Sequence, residues 1–108
     1  MRLVHIPQGP EAEYAALFSS LRYAVHELPA GVLWGHDGAT SKQCARLLRE
    51  LHRFEDLCAQ LGHTHPAFIE GCRWHFEHYA HYLSRQRHFG SYPAYLEGRG
   101  GPLRVAVD

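Results

Sequence analysis

A cluster of thiols and imidazoles brackets the turn between two predicted helices. It contains Cys58, His63, His65, Cys72 and His75. Zinc prefers these ligand types, but their gaps, Cys-x4-His-x-His-x6-Cys-x2-His, match no standard zinc finger. Cys58 and Cys72 also fall on apolar helix faces, where small buried thiols are common. Two interpretations stand: a metal site, or core cysteines beside a capping turn.

A second group of histidines lies in "RWHFEHYAHYLSRQRH", residues 73 to 88. At about 100° per residue, Trp74, His78, His81 and Arg85 share the side of a helix opposite its apolar stripe. His78 and His81 can hold a transition metal and His81 with Arg85 an anion, but a functional metal site usually has three or four ligands. A large aromatic among histidines and arginine is typical of a protein contact surface.

Known catalytic motifs are absent. No helical glutamate is followed three residues later by histidine, as di-iron bundles require. There is no His-Glu-x-x-His sequence, phosphate-binding loop or Gly-x-Ser-x-Gly elbow either. We therefore expect no catalytic residues, no enzymatic activity and no cofactor. The alternative is a small histidine-rich protein that binds metal or haem.

An arginine stripe on the second helix raises the question of DNA binding. Arg46, Arg49 and Arg53 share a face, and a short glycine-containing turn leads to the third helix, as in a helix-turn-helix. However, the third helix has few basic residues and the formal net charge is zero at pH 7. Neither a nucleic-acid partner nor a membrane partner is expected.

Three helices are predicted, over about 10–28, 41–61 and 66–89. Each has apolar residues recurring every three or four positions, for example Leu47, Leu51, Phe54 and Cys58 in the second. Gly71 interrupts the third helix, so either it marks close packing or the helix begins near Cys72. The ends have weak strand character, and residues from about 90 to 108 read as irregular. The fold class predicted is all-α, a small three-helix bundle forming one domain, 1–108.

The composition bounds the rest. The chain has 108 residues, 45% of them hydrophobic, which suits one small soluble domain. Three cysteines make a poor disulfide framework, and the N-terminus lacks a signal-peptide pattern, so the expected location is cytoplasmic. Ten histidines would charge in mild acid, which makes an acid sensor a third hypothesis.

Several aromatic residues lie outside the apolar stripes. A thin core with spare outward aromatics favours a protein partner and a homodimer through the first or third helix. The predicted partner-binding residues are Tyr23, Trp34, Trp74, His78, His81, Tyr82 and Arg85.

The helices "YAALFSSLRYAVHEL" and "CRWHFEHYAHYL", with the chain's size, layout and lack of catalytic motifs, resemble a class of small bacterial regulators. These are the helical antiactivators of LasR-type quorum-sensing transcription factors. The resemblance implies a dimer that binds the ligand-binding domain of a transcription factor and blocks that factor's own dimerisation.

Overall fold

The computed structural model describes residues 9–30, 41–99 and 105, without the side chains of residues 28–30, 41, 86 and 87. Five helical segments follow one another in this part of the chain: α1 Pro10–Ala30, α2 Ser41–Leu61, α3 Pro66–Leu83, α4 Gln86–Phe89 and α5 Tyr92–Leu96. The three long helices pack against one another, and α5 packs against α1 and α3. The predicted all-α bundle is confirmed. Trp34 and most of the strand-like ends lie outside the described residues.

Local sequence explains where α1 and α2 begin and end. Pro10 opens α1, and Glu11 and Glu13 lie in its first turn, where carboxylates stabilise the positive end of the helix dipole. Gly62 follows α2 with φ of 77°, the left-handed conformation that glycine adopts without steric cost. Between the two helices, Arg53 donates to both carboxylate oxygens of Glu13, at 2.8 and 2.7 Å.

The third predicted helix, 66–89, is shorter than expected. Helix α3 ends at Leu83, and Ser84 follows as its C-cap. The Ser84 hydroxyl donates to His81 O at 2.7 Å, and the Arg85 amide donates to Tyr82 O at 2.8 Å. A serine side chain that bonds the preceding turn competes with helix continuation. Two residues therefore separate the end of α3 from the start of the one-turn α4.

The tail was predicted to be irregular, and this is wrong for Tyr92–Leu96. Ser91 accepts a hydrogen bond from the Ala94 amide at 3.2 Å, a side-chain N-cap, and a proline lies in the first turn. Helix α5 buries Tyr92, Tyr95 and Leu96. A helix of only five residues persists because it buries this apolar face against the bundle.

The core is built from aliphatic, thiol and aromatic side chains. Cys44, Cys58 and Cys72 are all buried and free, as their positions on apolar faces predict. Phe54, Phe68 and Phe76 are at most 1% exposed. Tyr79, Tyr82, Tyr92 and Tyr95 form a second cluster, with ring centroids 4.8 to 6.0 Å apart, where α3 meets α5.

Gly71 lies inside α3 and marks close packing, which decides between the two readings of this residue. A Cβ atom at Gly71 would lie 3.0 Å from Cγ2 and 3.2 Å from Cβ of Val105, and closer still to Cγ1. The absence of a side chain lets Val105 lie directly on the helix backbone.

Candidate functional site

Two concave surfaces of the described residues contain most of the predicted contact residues. The first, the α1 groove, has a volume of about 440 Å³ and is lined by Ser19, Arg22, Tyr23, Val25, His26, Phe68 and Val105. The second, the α3–α5 cleft, has a volume of about 460 Å³ and is lined by Glu77, His78, His81, Arg85, Tyr95 and Arg99. Each combines one or more aromatic rings with charged or polar side chains.

Tyr23 is the outstanding residue of the α1 groove. Its side chain is 62% exposed, and no other large hydrophobic residue is this exposed in the described ranges 9–30, 41–99 and 105. Val25 and Phe68 are buried neighbours in the same groove, whereas Arg22 and His26 are exposed. An apolar floor with a polar rim suits insertion of an apolar side chain from another protein.

The α3–α5 cleft brings together three predicted residues, His78, His81 and Arg85. The structure adds Glu77 from the same helix, Tyr95 from α5 and Arg99 from the turn that follows it. Sequence reasoning missed Tyr95 and Arg99 because both lie in the segment predicted to be irregular. A usable signal existed, since Tyr92, Tyr95 and Leu96 recur at the helical spacing of three and four.

Tyr82 does not face outward as predicted. It is 6% exposed and lies among the rings of Tyr79, Tyr92 and Tyr95. The reason is that α5 covers the flank of α3 on which Tyr82 lies. Tyr82 is therefore a core residue.

Trp74 is only half-buried, and it packs against the core cluster. Its ring stacks on His78 with centroids 3.7 Å apart and planes 16° apart. His78 Nδ1 lies 2.8 Å from Trp74 O. A carbonyl oxygen only accepts hydrogen bonds, so Nδ1 carries the proton and Nε2 is the acceptor in the neutral ring.

The cysteines and histidines of the proposed metal cluster occupy separate environments. His63 stacks on Tyr14 with centroids 4.3 Å apart, and the Tyr14 hydroxyl lies 2.6 Å from His65 Nε2. His75 is fully buried, and its Nδ1 lies 2.9 Å from the Tyr92 hydroxyl, which also donates to His75 O at 3.3 Å. Residues 9–30, 41–99 and 105 contain no group of three or more potential ligands arranged to hold a metal ion. The buried cysteines fit the core interpretation, whereas His65, the N-cap residue of α3, makes no side-chain capping hydrogen bond.

His63 and His65, in the turn between α2 and α3, pack against α1 instead. His65 lies 4.8 Å from the Phe18 ring, and His63 Nε2 lies 3.8 Å from a Glu11 oxygen. This last distance is within ion-pair range but too long for a hydrogen bond, and Nε2 has no hydrogen-bond partner in the described part of the chain. The two imidazoles thus pack as aromatic rings against the first half of α1.

Burial makes the thiols poor nucleophiles. It raises the pKa of the Cys44 thiol to about 11 and that of Cys72 to about 12. Burial also raises the pKa of Cys58, with a smaller contribution from the Glu55 carboxylate. Reactive cysteines instead have lowered pKa values in accessible, electropositive surroundings.

The arginine stripe of α2 is partly neutralised by carboxylates. Arg46 lies 3.5 Å from Glu50, and Arg53 pairs with Glu13 across the bundle rather than with Asp56 on its own helix. Phosphate binding requires uncompensated basic side chains, so these pairs disfavour this stripe as a nucleic-acid surface.

Comparison of the chain with protein-family models, with curated proteins and with solved structures found no match in any of the three. No described helix combines the length and hydropathy that a bilayer-spanning segment requires.

Proposed function

We propose that this protein is a non-enzymatic regulator that acts by binding another protein through the α1 groove. One observation carries the proposal: Tyr23, a large aromatic side chain, is 62% exposed at a cavity with an apolar floor. Aromatic residues that combine apolar area with a polar tip dominate the binding energy of many protein interfaces. The partner side chain that fits best is apolar, because Val25, Phe68 and Val105 line the groove.

The sequence resemblance suggests a more specific form of the proposal. The partner is then the ligand-binding domain of a quorum-sensing transcription factor, and the protein acts as an antiactivator by preventing that factor from dimerising. The cytoplasmic location expected from the sequence is compatible with such a partner. No chemistry is required of the regulator, since occupying the partner's interface is sufficient.

The test has two stages. Tagged protein is first used to capture partners from the native host lysate, with and without chelator. The captured transcription factor is then purified, and its binding to promoter DNA is measured with increasing amounts of the regulator. We expect the regulator to abolish DNA binding, and Tyr23→Ala to weaken the effect by tenfold or more, as for a hot-spot residue.

Arg49→Ala is the matched control, because Arg49 is exposed on α2 and lies outside both concave surfaces. It should leave inhibition unchanged. Trp74→Ala is a poor probe because Trp74 packs against the core, so its loss would also affect folding. If Tyr23→Ala binds the factor as tightly as the unaltered protein does, the α1 groove is not the contact surface.

The predicted homodimer is part of the same proposal. Sedimentation equilibrium at micromolar concentrations should give twice the 12.3 kDa mass of the chain. If Tyr23→Ala converts the dimer to a monomer, the α1 groove is occupied by a second copy, and the regulator must use a different surface for its partner.

A further inference from the structure

The α3–α5 cleft has a charge balance that differs from that of the whole chain. Two arginines and one glutamate line it, so with neutral histidines its charge is +1, whereas the formal net charge of the chain is zero. Arg85 and Arg99 come from different segments and converge on one cavity of about 460 Å³. The cavity is large enough for a side chain of a bound peptide but not for a folded domain.

Arg99 is held in place before any ligand binds. Its Nη1 donates to Tyr95 O at 2.8 Å. Its guanidinium carbon lies 3.9 Å from the centroid of the Tyr95 ring and 5.1 Å from that of Phe89. One of five N–H donors is used in this hydrogen bond, and the stacked plane leaves others for a ligand. Such preorganisation lowers the entropic cost of binding.

His78, which also lines the cleft, is fixed in a similar way. The Trp74 ring stacks on one of its faces, and the Trp74 carbonyl accepts its Nδ1 proton. The α3–α5 cleft therefore has two oriented polar groups, from α3 and from the turn after α5. Arg85 and His81 are exposed and supply further donors when a ligand approaches.

We propose that the α3–α5 cleft binds a carboxylate side chain from an acidic segment of the protein partner. This proposal rests on the proposed function, because it assumes that a protein is bound. Guanidinium groups pair with carboxylates through two parallel hydrogen bonds. Glu77 repels a doubly charged phosphate twice as strongly as a singly charged carboxylate at the same distance, so it reduces the advantage that the two arginines give to a dianion.

The test uses a defined probe rather than the unknown partner. A fluorescein-labelled hexapeptide of alternating aspartate and glutamate is titrated with the full-length protein at low ionic strength. The matching asparagine–glutamine peptide is the control. We expect Arg85→Gln and Arg99→Gln each to weaken binding by about tenfold or more, the range for losing a charge-assisted hydrogen bond.

Two further variants separate the cleft from general charge effects. Glu77→Gln should tighten binding of the acidic peptide, because it removes a repulsive carboxylate while keeping the side chain's size. Arg49→Gln changes the net charge as much as Arg85→Gln does, and it should have little effect. Arg85 and Glu77 are exposed, so these variants remain informative even if Arg99→Gln disturbs the packing of Tyr95.

Three results would overturn the proposal. One is equal weakening by Arg49→Gln and Arg85→Gln, which would mean diffuse attraction. Another is no change with Glu77→Gln. The third is tighter binding of a phosphoserine peptide than of the acidic peptide, with the same dependence on Arg85. If the acidic peptide binds as expected but no partner is captured through Tyr23, the proposed function fails while the cleft assignment stands.

Discussion

At the scale of single residues, the buried His75–Tyr92 pair links α3 to α5. The His75 ring is fully buried, its Nδ1 lies 2.9 Å from the Tyr92 hydroxyl, and this hydroxyl donates to the backbone oxygen of His75 at 3.3 Å. Burial raises the pKa of the Tyr92 hydroxyl, so it stays protonated over the whole range in which the protein would be studied. The Tyr92 hydroxyl therefore keeps its proton in both contacts with His75.

Removing the Tyr92 hydroxyl should be costly. Tyr92→Phe keeps the ring but takes away the partner of His75 Nδ1, and we expect a loss of about 1–3 kcal/mol in the free energy of unfolding. Urea denaturation measures it. Tyr82 is a buried tyrosine of the same cluster, and its hydroxyl makes no hydrogen bond among the described residues. Tyr82→Phe should therefore cost less than about 0.5 kcal/mol. Equal losses for the two variants would contradict this role of the hydroxyl.

The buried thiols predict an alkaline loss of stability. Burial raises the pKa of Cys72 to about 12, whereas an exposed thiol has a pKa of about 8.5. Above that value the folded state binds more protons than the unfolded state, so stability falls as pH rises towards about 12. Each such thiol contributes a slope of up to about 1.4 kcal/mol per pH unit.

The measurement compares unfolding free energies of the native protein and Cys72→Ala from pH 8 to 11. Cys72→Ala should be less stable at pH 8, because it leaves a small cavity, but its stability should fall less steeply with pH. Tyrosine ionisation affects both proteins, so the difference between their slopes isolates the thiol. Equal slopes of unfolding free energy against pH for the two proteins would show that burial does not keep Cys72 protonated at high pH.

At the scale of helices, sequence periodicity correctly predicts the buried face where a helix has one face against the core. It does not predict burial of a second face by a later segment of the chain. The stripe of α2, including Leu47, Leu51 and Phe54, is buried as its spacing predicts. Tyr82 is misjudged because α5, which was not predicted, covers its side of α3. A short helix between glycines and prolines has too few turns for its pattern to stand out locally.

The same reasoning explains how much of the two concave surfaces was foreseen. Tyr23, His78, His81 and Arg85 are placed at these surfaces by helical spacing alone. Arg99 lines the α3–α5 cleft because it stacks on the Tyr95 ring. Val105 lines the α1 groove although it is distant in sequence from the other residues there. Contacts between segments distant in sequence leave no trace in local periodicity.

Gly71 provides a prediction at this scale. Alanine is favoured over glycine in a helix interior by about 1 kcal/mol, but at Gly71 its Cβ would overlap Val105. We therefore expect Gly71→Ala to destabilise the native protein, and to be neutral or stabilising when combined with Val105→Ala. A double-mutant cycle of thermal unfolding measures this coupling. Equal effects of Gly71→Ala in both backgrounds would mean that Val105 does not lie on Gly71.

At the scale of the whole molecule, four of the histidines that the structure describes have aromatic or hydrogen-bonding contacts rather than a shared metal site. His63 and His65 pack on α1, His75 is paired with Tyr92, and His78 is fixed by Trp74. We expect the purified protein to contain no stoichiometric transition metal, and its melting temperature to change by less than about 1 °C on adding chelator. A stabilising metal would be expected to lower it on removal.

Metal analysis of freshly purified protein and a melting curve with and without chelator test this prediction. As a control for metal lost during purification, the protein is treated with chelator, supplied again with metal, and then analysed in the same way. Stoichiometric zinc or iron, together with a lower melting temperature after chelation, would revive the alternative of a histidine-rich metal protein.

The position of Val105 is thermodynamically linked to binding at the α1 groove. The same side chain rests on Gly71 and forms part of the wall of the α1 groove. A ligand that binds the groove more tightly when Val105 lies on Gly71 stabilises that position of Val105, and the position increases the affinity for the ligand by the same factor. Changes at Gly71, on the buried side of Val105, therefore alter affinity at a surface they do not touch.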